Sequence, residues 1–363
     1  METGRDILSA GEGGAMEQME RARGKIPVPL AAASLPKAEG QVRWDVYETV
    51  TRRILERMEN GVVPWQSPSI ARTGFPRNFA TQKHYRGINV FLLGLHEFQS
   101  PYFLTFLQAK DLGGTVRKGE TGFPIVKVGT WSRERESDAA AVGLAPLSVE
   151  SRKFLKLYTV FNACQIDGLV FPEVPPCATF AESELADNAR HIVAAMPRPP
   201  RIHEGRKSYP HYVPDTDTVE MPSRETFRAE WRFYKTLFHE LAHATGHQER
   251  LNRPSLVDNR GASAVGEARK IYCLEELVAE MTAAFLGAHA GIIEDGFENS
   301  AAYLQGWLSV LQAKDNKTWL VKAASEAQRA ADYILGQAPE MRGERWPAPA
   351  PGGPTEGPLN TPP

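Results

Sequence analysis

FYKTLFHELAHATGHQERLNR, residues 233–253, places two histidines four positions apart with a glutamate directly after the first: His239-Glu240-Leu241-Ala242-His243. With 9 histidines among 363 residues, chance gives this pattern about 0.02 times in a chain of this composition, so it is read as a site. It falls late in a helix predicted from Pro222-Ser223, with Ser223 as cap, through about Thr245. On a helix, residues four apart share one face, one turn apart. Two imidazoles so placed converge on one Zn²⁺ at roughly 2.0–2.1 Å. Glu240 leans toward the same point but follows His239 too closely to complete the ligand set, and that position suits a general base acting on a metal-bound water.

A catalytic zinc takes a third protein ligand and keeps its fourth position for water. His247 would lie about 12 Å along a straight helix from His239, out of reach unless Gly246 breaks it. The metzincin spacing would want a histidine at 249, where the chain has Glu249. The better candidate stands on the next strong helix, Leu274–His289, in Glu275-Glu276-Leu277-Val278-Ala279-Glu280. Glu276 and Glu280 share a face. The first suits a ligand, and the second an acceptor for the outer N–H of a ligating histidine or an alternative ligand, in a gluzincin-like arrangement. One Zn²⁺ per chain is expected, with another divalent metal as the alternative.

Around this core, Glu182–Ala195 reads as a helix and Tyr209–Met221 as short strands. Tyr303, Trp307, Val310 and Leu311 mark a further helix, and Leu320–Leu335 another that stops at Gly336. Upstream, Asp45-x-x-Glu48 opens a helix carrying Val50, Ile54 and Met58. Residues 62–85 read as loop, Asn89–Leu95 as a buried helix and Phe103–Asp111 as a short helix. Phe123–Trp131 and Phe154–Phe161 read as strands, with 132–152 an exposed insertion between them. The expected fold class is α+β in two domains, 41–170 and 171–336, the second mainly helical with a small sheet. Residues 1–40 read as a disordered leader and 337–363 as a disordered tail, with 7 prolines among the last 18 residues. Pro27 and Pro29 break Ile26–Ser34, the one stretch that resembles an export signal. Three cysteines without a CxxC pair build no disulfide scaffold and fit a reducing, cytoplasmic setting, and no apolar run is long enough for a membrane helix.

The net charge of −2 hides a division. Residues 41–170 carry 17 Lys and Arg against 12 Asp and Glu, and residues 171–335 carry 18 against 23. Single strands are bound by basic grooves lined with aromatic faces, and the basic half interleaves the two. Trp65, Lys83, Tyr85, Arg86, Arg117, Lys118 and Lys127 are its candidate DNA contacts, with Asn89 and Gln108 as further hydrogen-bonding groups. The chain has no phosphate-cradling Gly-x-x-x-x-Gly-Lys-Ser/Thr loop, so nucleotide hydrolysis has no support.

The C-terminal half resembles the zincin-type metallopeptidase domain of ArdC-like antirestriction proteins of plasmids and other mobile elements. The matching phrases are MPSRETF (221–227), residues 233–253, YCLEELVAEMTAAFLGAHAGI (272–292) and residues 301–335. VPWQSP (63–68), YRGINVFLL (85–93), LGGTVRKGETG (112–122) and LYTVFNACQIDGL (157–169) resemble the same family's single-stranded-DNA-binding domain. The resemblance implies a zinc site at His239, His243 and a glutamate of EELVAE, with Glu240 as base. It also implies single-stranded DNA as a partner, and protection of incoming DNA from host restriction in the cytoplasm. A host restriction component is then a candidate protein substrate. Two other functions share these parts: a non-proteolytic DNA shield with a structural zinc domain, and a protease acting on DNA–protein crosslinks.

Overall fold

The computed structural model describes residues 45–66, 69–96, 98–135, 148–174, 180–257, 267–292, 301–312, 316 and 318–337. The expected leader 1–40, the tail beyond 337 and the middle of the expected insertion, 136–147, lie outside the described residues.

Helix α1, Val46–Glu59, starts where Asp45 accepts the Tyr47 N–H at 3.0 Å and buries Val50, Ile54 and Met58 along one stripe. A short helix α2, Ser69–Thr73, and strand β1, Arg77–Asn78, lead to α3, Ile88–Gly94. Helix α3 is apolar almost all round, as a helix surrounded by protein must be, and six of its seven residues are buried. Strand β2, Tyr102–Thr105, runs into α4, Phe106–Asp111; β3, Thr115–Val116, follows. The helix expected from Phe103 therefore begins three residues later. Phe103 and Leu104 pair with Asn162 and Phe161 instead, and Thr105 caps α4 in a reciprocal box with Gln108.

Strands β4, Phe123–Arg135, and β5, Ser148–Asn162, form one antiparallel hairpin, in register from Phe123↔Val160 to Arg135↔Ser148. Residues 132–135 and 148–152, expected as insertion, are thus paired strand. The sheet order is β1-β2-β5-β4, and β6, Ile166–Asp167, pairs separately with β3.

In the second half, α5 spans Glu182–Ala194, and β7, Arg201–Glu204, β8, His211–Val213, and β9, Thr218–Met221, form a sheet of order β7-β9-β8. Helix α6 spans Glu230–Thr245, α7 Pro254–Val257, α8 Glu267–Ala290, α9 Ala301–Leu311 and α10 Trp319–Ile334. The expected cap of α6 at Ser223 is corrected by six residues, to Ala229. Ser223 precedes a 3₁₀ turn, Arg224–Thr226, whose Arg224 clamps Glu204 of β7 with two contacts at 2.9 and 2.7 Å and also reaches Tyr234 Oη at 2.8 Å. Folding the turn back onto the sheet forbids a continuous helix.

The fold is α+β, and among the described residues the two halves keep separate sheets. One apolar cluster nevertheless spans both, beside two smaller ones in the first half around Phe103 and around Leu104. It contains Ile54 of α1, Phe91 of α3, Phe238 and Leu241 of α6, Phe285 of α8 and Ile334 of α10. Phe91 stacks on Phe285 at 4.8 Å, and Trp65 meets Trp307 edge-on at 6.0 Å. Helix α10 buries Ala323, Ala324, Ala327, Ala330 and Ala331, a face of small side chains that lets neighbours approach closely. Gly87 exploits it. Its N–H donates to Gln328 Oε1 at 3.0 Å, its φ is +56°, and a Cβ there would stand 3.4 Å from the Ala324 carbonyl oxygen. Beside it Arg86 forms an ion pair with buried Asp332. Among the described residues no helix is long and apolar enough to cross a membrane.

Phe285→Ala removes the ring that both halves share. It is expected to lower unfolding stability by about 3–5 kcal/mol, the range for a buried phenylalanine, read as a fall in urea midpoint with unchanged slope.

Candidate metal centre

Helix α6 carries His239 and His243 on one face, and α8 lies against that helix with the Glu275–Glu280 run toward it. Among the described residues, His239, His243 and Glu276 are the group whose donor atoms gather as a metal site would require. The two Nε2 atoms are 3.2 Å apart. Glu276 Oε2 is 3.3 Å from His239 Nε2, and Oε1 is 3.5 Å from His243 Nε2. Ligands about 2.0–2.1 Å from one ion at tetrahedral corners stand about 3.3 Å from one another. The donor set therefore fits a divalent cation in spacing as well as in kind.

The outer nitrogens are also held. His243 Nδ1 stands 3.2 Å from Glu275 Oε1. Arg253 donates to the same carboxylate, 2.8 Å from Nε to Oε2, and Ser255 Oγ reaches it too. Burial opposes charge on Glu275, but the charge and hydrogen bonds of Arg253, with those of His243, hold its carboxyl far below the usual range. A carboxylate kept ionised makes Nδ1 the protonated nitrogen of His243 and turns the Nε2 lone pair inward. Glu280 Oε1 lies 3.8 Å from His239 Nδ1. Glu280 thus sits beside His239, while the carboxylate that orients His243 is Glu275. The sequence reading missed Glu275, Arg253 and Ser255.

Burial disfavours the charged form of His239. Its hydrogen bond to Glu276 and the charges of Glu280, Glu240 and Glu276 outweigh this and push it up to about 9. The same carboxylates make the point between the imidazoles attractive to a cation. Glu240, 6% exposed, is pushed upward by burial, partly offset by His243 and His239. Tyr272 hydrogen-bonds Glu276 from one turn earlier on α8, a spacing visible in the sequence. His247 is buried away from the triad, its Nδ1 accepting the Glu249 N–H at 3.3 Å. A cavity of about 640 Å³ opens beside α6 at Thr236, bounded by the 205–210 loop and the turn at 222–227.

The expected DNA contacts fall into three situations. Trp65 is 3% exposed, its ring packed within the core. Tyr85 is half-buried against Phe103; Arg86 is engaged by Asp332, and Arg117 by Glu120 at 2.8 Å and Asp167 at 3.3 Å. Lys83, Lys118 and Lys127 are exposed. Asn89 and Gln108 have internal partners. Asn89 exchanges two hydrogen bonds with the Val126 backbone at 2.8 and 2.7 Å, and Gln108 accepts from Asn78 at 3.0 Å.

Two family models match the chain: the N-terminal domain of anti-restriction factor ArdC over residues 44–161, and a zincin-like metallopeptidase over residues 188–326. The fold is similar to the crystal structure of antirestriction ArdC protein from the R388 plasmid. The metal-free structure matches with a TM-score of 0.61 at 39% identity, covering 80% of this chain and 97% of that one. The Mn(II)-bound structure matches with a TM-score of 0.61 at 37% identity, covering 82% and 100%. The chain is 32% identical over 305 residues to protein y4eC of Sinorhizobium fredii, covering 82% of this chain and 94% of that protein. It is also 32% identical over 309 residues to DNA primase TraC of Escherichia coli, covering 81% of this chain but spanning 27% of TraC.

Glu275→Gln leaves Arg253 buried without its counter-charge and is expected to lower stability by about 3–5 kcal/mol. Glu280→Gln, at a partly exposed pair, is expected to change it by no more than about 1 kcal/mol. Urea unfolding of the two variants side by side checks the contrast.

Proposed function

The chain belongs to the ArdC antirestriction family, and we propose that it binds single-stranded DNA and, through a zinc peptidase site, protects the incoming DNA of a mobile element from host restriction in the cytoplasm. The observation that carries the peptidase reading is the triad spacing of 3.2–3.5 Å with Glu240 beside it. His239 and His243 would hold the ion through Nε2, and Glu276 through its carboxylate. When bound, a divalent cation, zinc in this reading, supplies Lewis-acid polarisation of a carbonyl and a water of pKa lowered toward about 7.

The chain's own residues do the rest. Glu240 takes a proton from the attacking water and returns it to the leaving amine nitrogen. Its burial favours that exchange, because a carboxyl raised from its ordinary value holds a proton more readily. Glu275 and Arg253 keep the His243 ring from turning. Exposed Lys83, Lys118 and Lys127 supply positive charge on the half assigned to DNA. A host restriction component is the protein substrate that this biology calls for.

Glu240→Gln is nearly isosteric. Fold, metal and DNA binding are expected to survive while turnover falls at least ~10²-fold. The assay pairs proteolysis with transformation of a restricting host: joint loss supports the peptidase reading, and full protection by the variant moves the function to a non-proteolytic DNA shield. His243→Ala is expected to carry no metal above background by elemental analysis. It should also melt earlier than the metal-loaded parent, since bound metal adds to folding stability.

A further inference from the structure

We propose that the outward face of the β4–β5 hairpin, built from Phe154, Tyr158, Lys127 and Lys156, is the platform on which unpaired bases stack. This rests on the reading of the chain as a single-stranded-DNA-binding protein.

Strand alternation divides the hairpin. Val126, Leu155 and Leu157 face the shared apolar cluster. On the opposite face Phe123, Val160 and Ile125 pack into a second cluster at one end, and the open part beyond them carries Tyr158, the pair Lys127 and Lys156, and Phe154 opposite Gly129. On that face Phe154 is 48% exposed and Tyr158 37% exposed. Phe154 lies across Gly129, where an added Cβ would come within 2.3 Å of the ring. The glycine therefore lets the ring lie down on the sheet. Phe154 and Tyr158 are four residues apart on one strand, about 13 Å, so each takes a separate base.

The lysines give the face its sign. Like charges directly opposite on neighbouring strands destabilise a sheet, yet Lys127 and Lys156 are such a pair. Both ammonium groups sit near the Tyr158 ring, at 6.0 and 5.4 Å from its centroid, toward the outer range of such contacts. Among the described residues neither has an ion-pair partner, so phosphates can claim them. Aromatic rings among cations on a sheet face are how sequence-tolerant binders hold single strands. A duplex, its bases already stacked, gains nothing from the rings.

The test uses the full chain and a fluorescein-labelled oligothymidylate, with anisotropy followed as salt rises. The double variant Phe154→Ala with Tyr158→Ala is expected to lose at least about 25-fold in affinity, two stacked bases at about 5-fold or more each, without changing the salt slope. Lys127→Gln with Lys156→Gln is expected to reduce the slope of log K against log salt by about 1.4, two single-strand phosphates at about 0.7 each. Circular dichroism checks that these exposed substitutions leave the fold intact. Parental affinity and slope in both variants would overturn the platform while leaving single-strand binding standing. Equal loss on a duplex probe would overturn the assignment to unpaired bases. Failure of the unaltered chain to bind would remove the DNA reading itself, and the platform with it.

Discussion

Arg253 and Glu275, both almost wholly out of water, fasten the C-terminal end of α6 to α8. A buried ion pair contributes little by itself, because desolvation offsets most of the attraction. Its value here lies in the other groups it satisfies. The Arg253 guanidinium also donates to the Ala242 carbonyl at 2.8 Å and Thr245 Oγ1 at 3.0 Å, so the last turn of α6 does not end in unmet acceptors. Glu275, ionised by that contact, fixes the His243 ring. The next residue on α8, Glu276, is thereby delivered to the inner nitrogens of both histidines. Remove the pair and the His243 ring loses the contact that turns its inner nitrogen toward Glu276.

How far the site was legible follows from which contacts are local. The histidines and Glu240 declare themselves through spacing on one helix, and Glu276 through its place on a helix otherwise apolar. Glu275 was hidden because it is one residue from Glu276, about 100° round the helix, and its importance depends on an arginine returning from beyond the end of α6. Tyr272 was readable as the residue one turn before Glu276. The start of α6 was misplaced because a plausible cap at Ser223 says nothing of Arg224 clamping Glu204 on a strand 20 positions earlier.

The first half was less legible for a related reason. An aromatic or a basic residue looks the same in sequence whether it is exposed or spoken for. Trp65 belongs to the core and Arg86 to Asp332, a partner 246 positions away. Phe154 and Tyr158 lay within a strand that was recognised, but alternation does not say which face the interior will cover. Val126, Leu155 and Leu157 settle that question by packing inward.

The joint between the halves has a consequence for inheritance. Phe91, Gly87 and Arg86 on one side fit Phe285, Ala324 and Asp332 on the other as closely as residues within a single core. A recombination break between them would leave two fragments, each with an apolar wound and unmatched polar groups. A substitution on the Ala-rich face of α10 is thus constrained by a loop encoded more than 200 codons upstream.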